Sequence, residues 1–139
     1  MNAETYSPRI HSWIPARGHA LCHAGIHFDA VRIRGKLAER IASEMMCCTD
    51  FNAGPIVMEA AGERSVYFLL PPQTASSFKW PPAIRTLTRG DQSLAYVGVP
   101  ALTGVTWPLG WRSVPTADVP FVDGELLREV VGRVSGVRR

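Results

Sequence analysis

The sequence predicts an α+β domain, a two-layer arrangement in which helices pack on one face of a mainly antiparallel sheet. Three observations predict it. Short apolar runs bounded by turn residues outnumber helical patterns. Two of those runs, PIVMEA and SVYFLL, are separated only by AGER, the layout of a β-hairpin. Two segments, KLAERIASEMMCC and DGELLREVVGRV, carry apolar residues at three- and four-residue spacing.

Residues 1–24 mix proline, glycine, histidine and single aromatics without a sustained period, so an irregular extension is expected there. A core over 25–115 and a closing helix with a basic tail over 116–139 complete one domain. GIHFDAVRIR alternates as a strand, with His27, Asp29, Val31 and Ile33 on one side and Phe28, Ala30 and Arg32 on the other. The next segment places Leu37, Ile41, Met45 and Cys48 on one helical stripe. After the hairpin, Pro71 and Pro72 end the second strand because proline cannot donate to the ladder, and PQTASSFKW suits a short helical turn. Strands are expected at AIRTLT and SLAYVGV, joined through RGDQ. The segment from Pro100 to Pro115 reads as irregular, anchored by Trp107 and Trp111. Asp123 leads the closing helix, whose inward residues are Leu126, Leu127, Val130, Val131 and Val134 and whose last turns are basic.

With 139 residues, 46% hydrophobic and 19% charged, the composition is that of a single globular domain, not a disordered chain. No apolar run reaches the roughly 20 residues that cross a bilayer, and the first residues lack the apolar segment of a secretory signal, so a cytoplasmic location is expected. Cys22, Cys47 and Cys48 form no CxxC pattern and read as reduced thiols. A net charge of +3, carried mostly by arginine, permits attraction to nucleic acid without requiring it.

His11, His19, Cys22, His23 and His27 crowd one region, but zinc-type paired-cysteine spacing is missing and Gly18 and Gly25 oppose a helix that would align them. They read as surface polar residues, and no metal or cofactor is expected. The RGD tripeptide at Arg89 to Asp91 reads as a turn. The common phosphate-loop, dinucleotide, hydrolase-elbow and zinc-protease signatures are absent.

The stretches GERSVYFLLPP and RTLTRGDQSLAYVGVPA, followed by a tryptophan-bearing strand and RSVP, resemble the second half of the bifunctional DNA primase/polymerase (prim-pol) domain family of actinobacterial and mobile-element proteins. The resemblance covers about residues 26–115 and implies an RRM-like sheet core. It also implies a site in which carboxylates on two strands hold divalent cations and a histidine contacts the nucleotide. Here Asp29 stands for the first acid, its partner position holds Val31, the histidine position holds Ser65 and the last acid falls on Leu87. One acid cannot hold two metals. The resemblance therefore implies a catalytically degenerate relative, with Arg32, Arg34, Arg64, Tyr67, Lys79, Arg85 and Arg89 as residues for DNA. Val66, Phe68 and Leu70 are expected toward the helices. Val31, Ile33, Tyr67, Leu69 and Leu87 are expected to form an apolar patch on the emptied face, open to a protein partner or a second copy, or covered by the N-terminal extension. A working nucleotidyl transferase with remodelled ligands, Asp29 with Asp91, is the remaining alternative.

Overall fold

The computed structural model describes residues 12–89 and 95–136. The parts of the expectations that rest on residues 1–11, on Gly90 and Asp91 of the RGD turn, and on the basic tail at 137–139 lie outside the described residues.

The chain is α+β, with seven strands in antiparallel sheets and two helices among the described residues. The strands are β1 (His19–His23), β2 (Asp29–Arg34), β3 (Ile56–Glu59), β4 (Ser65–Leu70), β5 (Arg85–Leu87), β6 (Tyr96–Pro100) and β7 (Leu109–Ser113). Helix α1 spans Gly35–Cys48 and α2 spans Gly124–Ser135, with a single 3₁₀ turn at Ala75–Ser77. Five strands make one sheet in the order β5-β2-β4-β3-β7, and β1 pairs with β6 in a separate two-stranded ribbon.

Both helices pack on one face of the five-stranded sheet. From α1 come Ala38, Ile41, Ala42 and Met45, from α2 Leu127, Val130 and Val131, and they meet Val31, Ile33, Ile56, Val66, Phe68 and Leu70 of the sheet. Helix α2 starts where expected: the Asp123 carboxylate accepts from the backbone N–H groups of Glu125 and Leu126, at 3.0 and 3.2 Å, satisfying two of the donors a helix start leaves unpaired. Gly136 ends it in the left-handed conformation. Arg133 on α2 reaches Glu44 on α1 at 3.1 Å, tying the helices at their solvent side. Cys48, expected on the inner stripe of α1, is instead exposed beside this pair at the last residue of the helix.

The other face departs from a two-layer plan. The ribbon of β1 and β6 lies across it, and Ala24, Phe28, Ala30, Val57, Leu69, Leu87, Val97 and Val99 are buried between. Two corrections to the sequence reading follow. Residues 19–23, expected to be irregular, form β1, and β1 is stable as a strand because β6 supplies its ladder from His19↔Pro100 to His23↔Tyr96. The span 100–115, expected to be irregular, contains β7, which pairs with β3. Consecutive strands β5 and β6 enter different sheets. Trp111 anchors as expected, donating its indole N–H to the Ala101 carbonyl at 3.1 Å, whereas Trp107 is exposed.

No helix among the described residues is long and apolar enough to cross a membrane. Cys22, Cys47 and Cys48 are free thiols.

Candidate functional site

Strand register decides which residues share a face. In β2 and β4, Asp29 lies opposite Leu70, Val31 opposite Phe68 and Ile33 opposite Val66. These positions face the helices. On the other face Ala30 pairs with Leu69, Arg32 with Tyr67 and Arg34 with Ser65.

The emptied apolar patch expected from Val31, Ile33 and Leu69 is therefore not on the surface. Val31 and Ile33 are core residues of the helix side, and Leu69 lies under the ribbon; all three are essentially inaccessible to solvent. Tyr67 and Leu87 stay on the ribbon side, but Leu87 is buried and only Tyr67 reaches the margin. The residues that cover this face are Trp13, Ile14 and strand β1 from the N-terminal region, together with β6.

Asp29 and Ser65 lie on opposite faces of the sheet, so they cannot contribute to one site. The Asp29 side chain is fully buried on the helix side. One carboxylate oxygen accepts from the backbone N–H of Ala75 at 2.9 Å and the other from the Thr88 hydroxyl at 2.8 Å. It fastens the start of the 3₁₀ turn and the end of β5 to the edge of β2. This explains an acid inside an apolar strand without catalysis, since a buried carboxylate needs such partners. Among the described residues, no three histidine, cysteine, aspartate or glutamate side chains come together in a way that could hold a metal ion.

A row of side chains crosses the ribbon-side face, exposed at Arg85, half-buried at Arg32 and Tyr67, and buried at Val57. Arg85 on β5 is opposite Arg32 on β2, which is opposite Tyr67 on β4, followed by Val57 on β3 and Trp111 on β7. One residue pair further out lie Arg34, Ser65 and Glu59. Arg32, Arg34, Glu59, Glu63, Ser65 and Tyr67 line a shallow depression of about 280 Å³. Arg34 pairs with Glu63 at 3.5 Å with both side chains largely in solvent, a weak contact. The Tyr67 hydroxyl donates to Glu59 Oε1 at 3.2 Å. Burial and the adjacent Glu59 carboxylate push the Tyr67 hydroxyl above its ordinary pKa, while Arg32 pulls it the other way.

Of the seven residues expected to touch DNA, the structure brings four together at this end of the sheet: Arg32, Arg34, Tyr67 and Arg85. The other three lie elsewhere. Arg64 sits in the β3–β4 turn against the start of α1, where its carbonyl accepts from the Gly35 N–H at 3.1 Å. Lys79 lies between Phe78 and Trp80, which pack against the helix-side core. Arg89 packs against Gly25, so closely that a Cβ there would meet the Arg89 backbone nitrogen at 2.4 Å.

The sequence reading missed a second depression, also of about 280 Å³, between the outer side of the ribbon and the β7 edge. Tyr96, Leu21, His19, Leu109, Tyr67 and Glu59 are among the residues that line it. Those two residues also line the arginine-bearing depression, so the two hollows adjoin. The signal available in the sequence was the alternation of HALCH, which puts His19, Leu21 and His23 on one side.

No protein-family model, no curated protein and no solved structure matches the chain.

Proposed function

We propose that the chain is a non-catalytic domain of prim-pol type that binds single-stranded nucleic acid at the uncovered end of its five-stranded sheet, as an accessory to replication or mobile-element maintenance. The observation that carries this reading is the Arg85–Arg32–Tyr67 row, flanked by Arg34, with Arg85 and Arg34 exposed and Arg32 and Tyr67 half-buried. Arginines at that spacing suit successive backbone phosphates, and an aromatic ring beside them offers a stacking partner. Three arginines there face two glutamates, Glu59 and Glu63, so the attraction is modest and must be strongly salt-dependent. The resemblance of the strand and turn motifs to the prim-pol family supports the assignment to nucleic acid. The burial of Asp29 within its own hydrogen bonds supports a role without catalysis.

Fluorescence anisotropy with a labelled single strand, read across a salt series, tests it. With each phosphate neutralised on a single strand adding about −0.7 to the log–log salt slope, three arginines give a slope of about −2. Arg32→Ala and Arg85→Ala each reduce it by about 0.7. Absence of binding to single strands at low salt overturns the proposal, as does equal or tighter binding to a duplex.

A second reading, a protein-docking or self-association module, is favoured by a different surface. The loop after β6 leaves Val105 87% and Trp107 74% exposed, with Leu102 also in solvent. Sedimentation over a concentration range decides it. Association that Trp107→Ser abolishes supports this reading, and a monomer at every concentration removes self-association.

A further inference from the structure

We infer that the hollow between the ribbon and β7 receives one unstacked base of the bound strand and prefers a base carrying an exocyclic amine, cytosine over thymine. This rests on the nucleic-acid reading above and specifies its ligand. The hollow has three properties that a base needs.

The first is a wall that can stack. Tyr96 is half exposed on β6, and His23 packs its ring against it at 5.3 Å and 33°, which limits the ring's freedom. Leu21, Leu109 and Tyr67 complete an apolar lining. An aromatic wall of this kind gives a base a face to stack on.

The second is size. A volume of about 280 Å³ falls just under the roughly 300–1,000 Å³ of pockets that enclose whole drug-sized ligands, so it suits one ring system, not an extended molecule. Leu109 packs directly onto Gly98, where a Cβ would lie 2.7 Å from Leu109 Cδ1, so the glycine seats one of the lining side chains.

The third is polarity placed on the correct side. Glu59 lines both this hollow and the neighbouring arginine depression, and its carboxylate, which accepts from Tyr67 through Oε1, can only accept hydrogen bonds while ionised. It repels phosphate and attracts an amine donor. A strand whose phosphates lie along Arg85, Arg32 and Arg34 has its base directed past Tyr67 toward Glu59. Cytosine presents an N4 amine to such an acceptor, and thymine presents a carbonyl at the same place.

The experiment compares oligocytidylate and oligothymidylate of equal length, at low salt and slightly alkaline pH. The unmodified protein binds cytidylate about tenfold more tightly, the difference expected for one charged hydrogen bond. Tyr96→Ala weakens binding to both about tenfold and leaves the salt slope unchanged, because it touches no phosphate. Glu59→Ala collapses the ratio between the two strands to near one, whereas loss of a merely repulsive charge would tighten both equally and preserve it. Equal affinity of the unmodified protein for the two strands overturns the base pocket while leaving phosphate binding by the arginines intact. Tyr96→Ala binding as tightly as the unmodified protein does the same. Failure to bind either strand removes the nucleic-acid reading itself.

Discussion

The two faces of the five-stranded sheet are closed by different means, and the difference separates what stabilises this domain from what it presents to a ligand. On the helix side, seventeen of the described residues are buried in one core under two amphipathic helices that Arg133 and Glu44 pin together. On the ribbon side, eight of the described residues are buried under a two-stranded ribbon, and Arg85 and Arg34 of the same sheet are exposed. A two-stranded ribbon covers less area than a pair of helices and has little independent stability. Among the described residues the helix side therefore carries most of the apolar burial, and on the ribbon side solvent reaches Arg85, Arg32, Tyr67 and Arg34.

The largest test of that division uses adjacent residues of one strand. Phe68 and Leu69 are both fully buried, but Phe68 faces the helices and Leu69 the ribbon. Phe68→Ala is expected to cost about 3–5 kcal/mol, a large share of the roughly 5–15 kcal/mol that holds a typical domain folded. Leu69→Ala is expected near the low end of the usual range, about 2 kcal/mol, because the ribbon can settle into the space more readily than two helices can. Urea denaturation of both variants measures the difference. A greater loss at Leu69 would show that the ribbon is as integral to the core as the helices.

Asp29 comes next in size. Asp29→Ala strands the Ala75 N–H and the Thr88 hydroxyl, and leaving buried donors unpaired costs about 1–3 kcal/mol. Asp29→Asn keeps one acceptor oxygen and should lose less. If the alanine variant keeps full stability and instead loses nucleic-acid binding, Asp29 belongs to the ligand surface and the separation of the two faces is wrong. The N-cap of α2 gives a smaller effect confined to the helix side: Asp123→Ala should cost about 1 kcal/mol and leave oligonucleotide affinity unchanged.

How much of this was legible in the sequence follows from the same register. Alternation within β2 correctly grouped Asp29, Val31 and Ile33, and alternation within β4 correctly grouped Ser65, Tyr67 and Leu69. What one strand's pattern cannot give is which group of the next strand shares its face, since shifting the register by one residue exchanges the two sets. That is why Val31 and Ile33 were expected beside Tyr67 and are found beside Phe68. Helix α2 was readable down to its cap because capping is local. The ribbon was not, because β1 and β6 lie more than seventy residues apart and HALCH alone lacks the apolar content of a core strand. With the ribbon went the hollow at Tyr96, whose walls come from three separated segments.

The smallest expected effect probes the margin where the ribbon ends. Burial and the Glu59 carboxylate raise the Tyr67 hydroxyl above its ordinary value of 10.0, so the folded state holds that proton more tightly than the unfolded chain does. Below about pH 10 both states keep it, and the contribution is fully present. As pH rises above that, the unfolded chain ionises first and binds fewer protons than the native state, so stability falls until the folded hydroxyl itself ionises. Tyr67→Phe removes this dependence and, at neutral pH, the hydroxyl's contacts with Glu59 and Arg32, worth about 0.5–1.5 kcal/mol at this half-buried site. The stability advantage of the unmodified protein over Tyr67→Phe should thus shrink as pH climbs past 10 in a series of urea titrations, the other tyrosines cancelling in the difference. An advantage that stays constant with pH would mean that Tyr67 is freely solvated, and that the sheet is more open at this end than the burial of its ring implies.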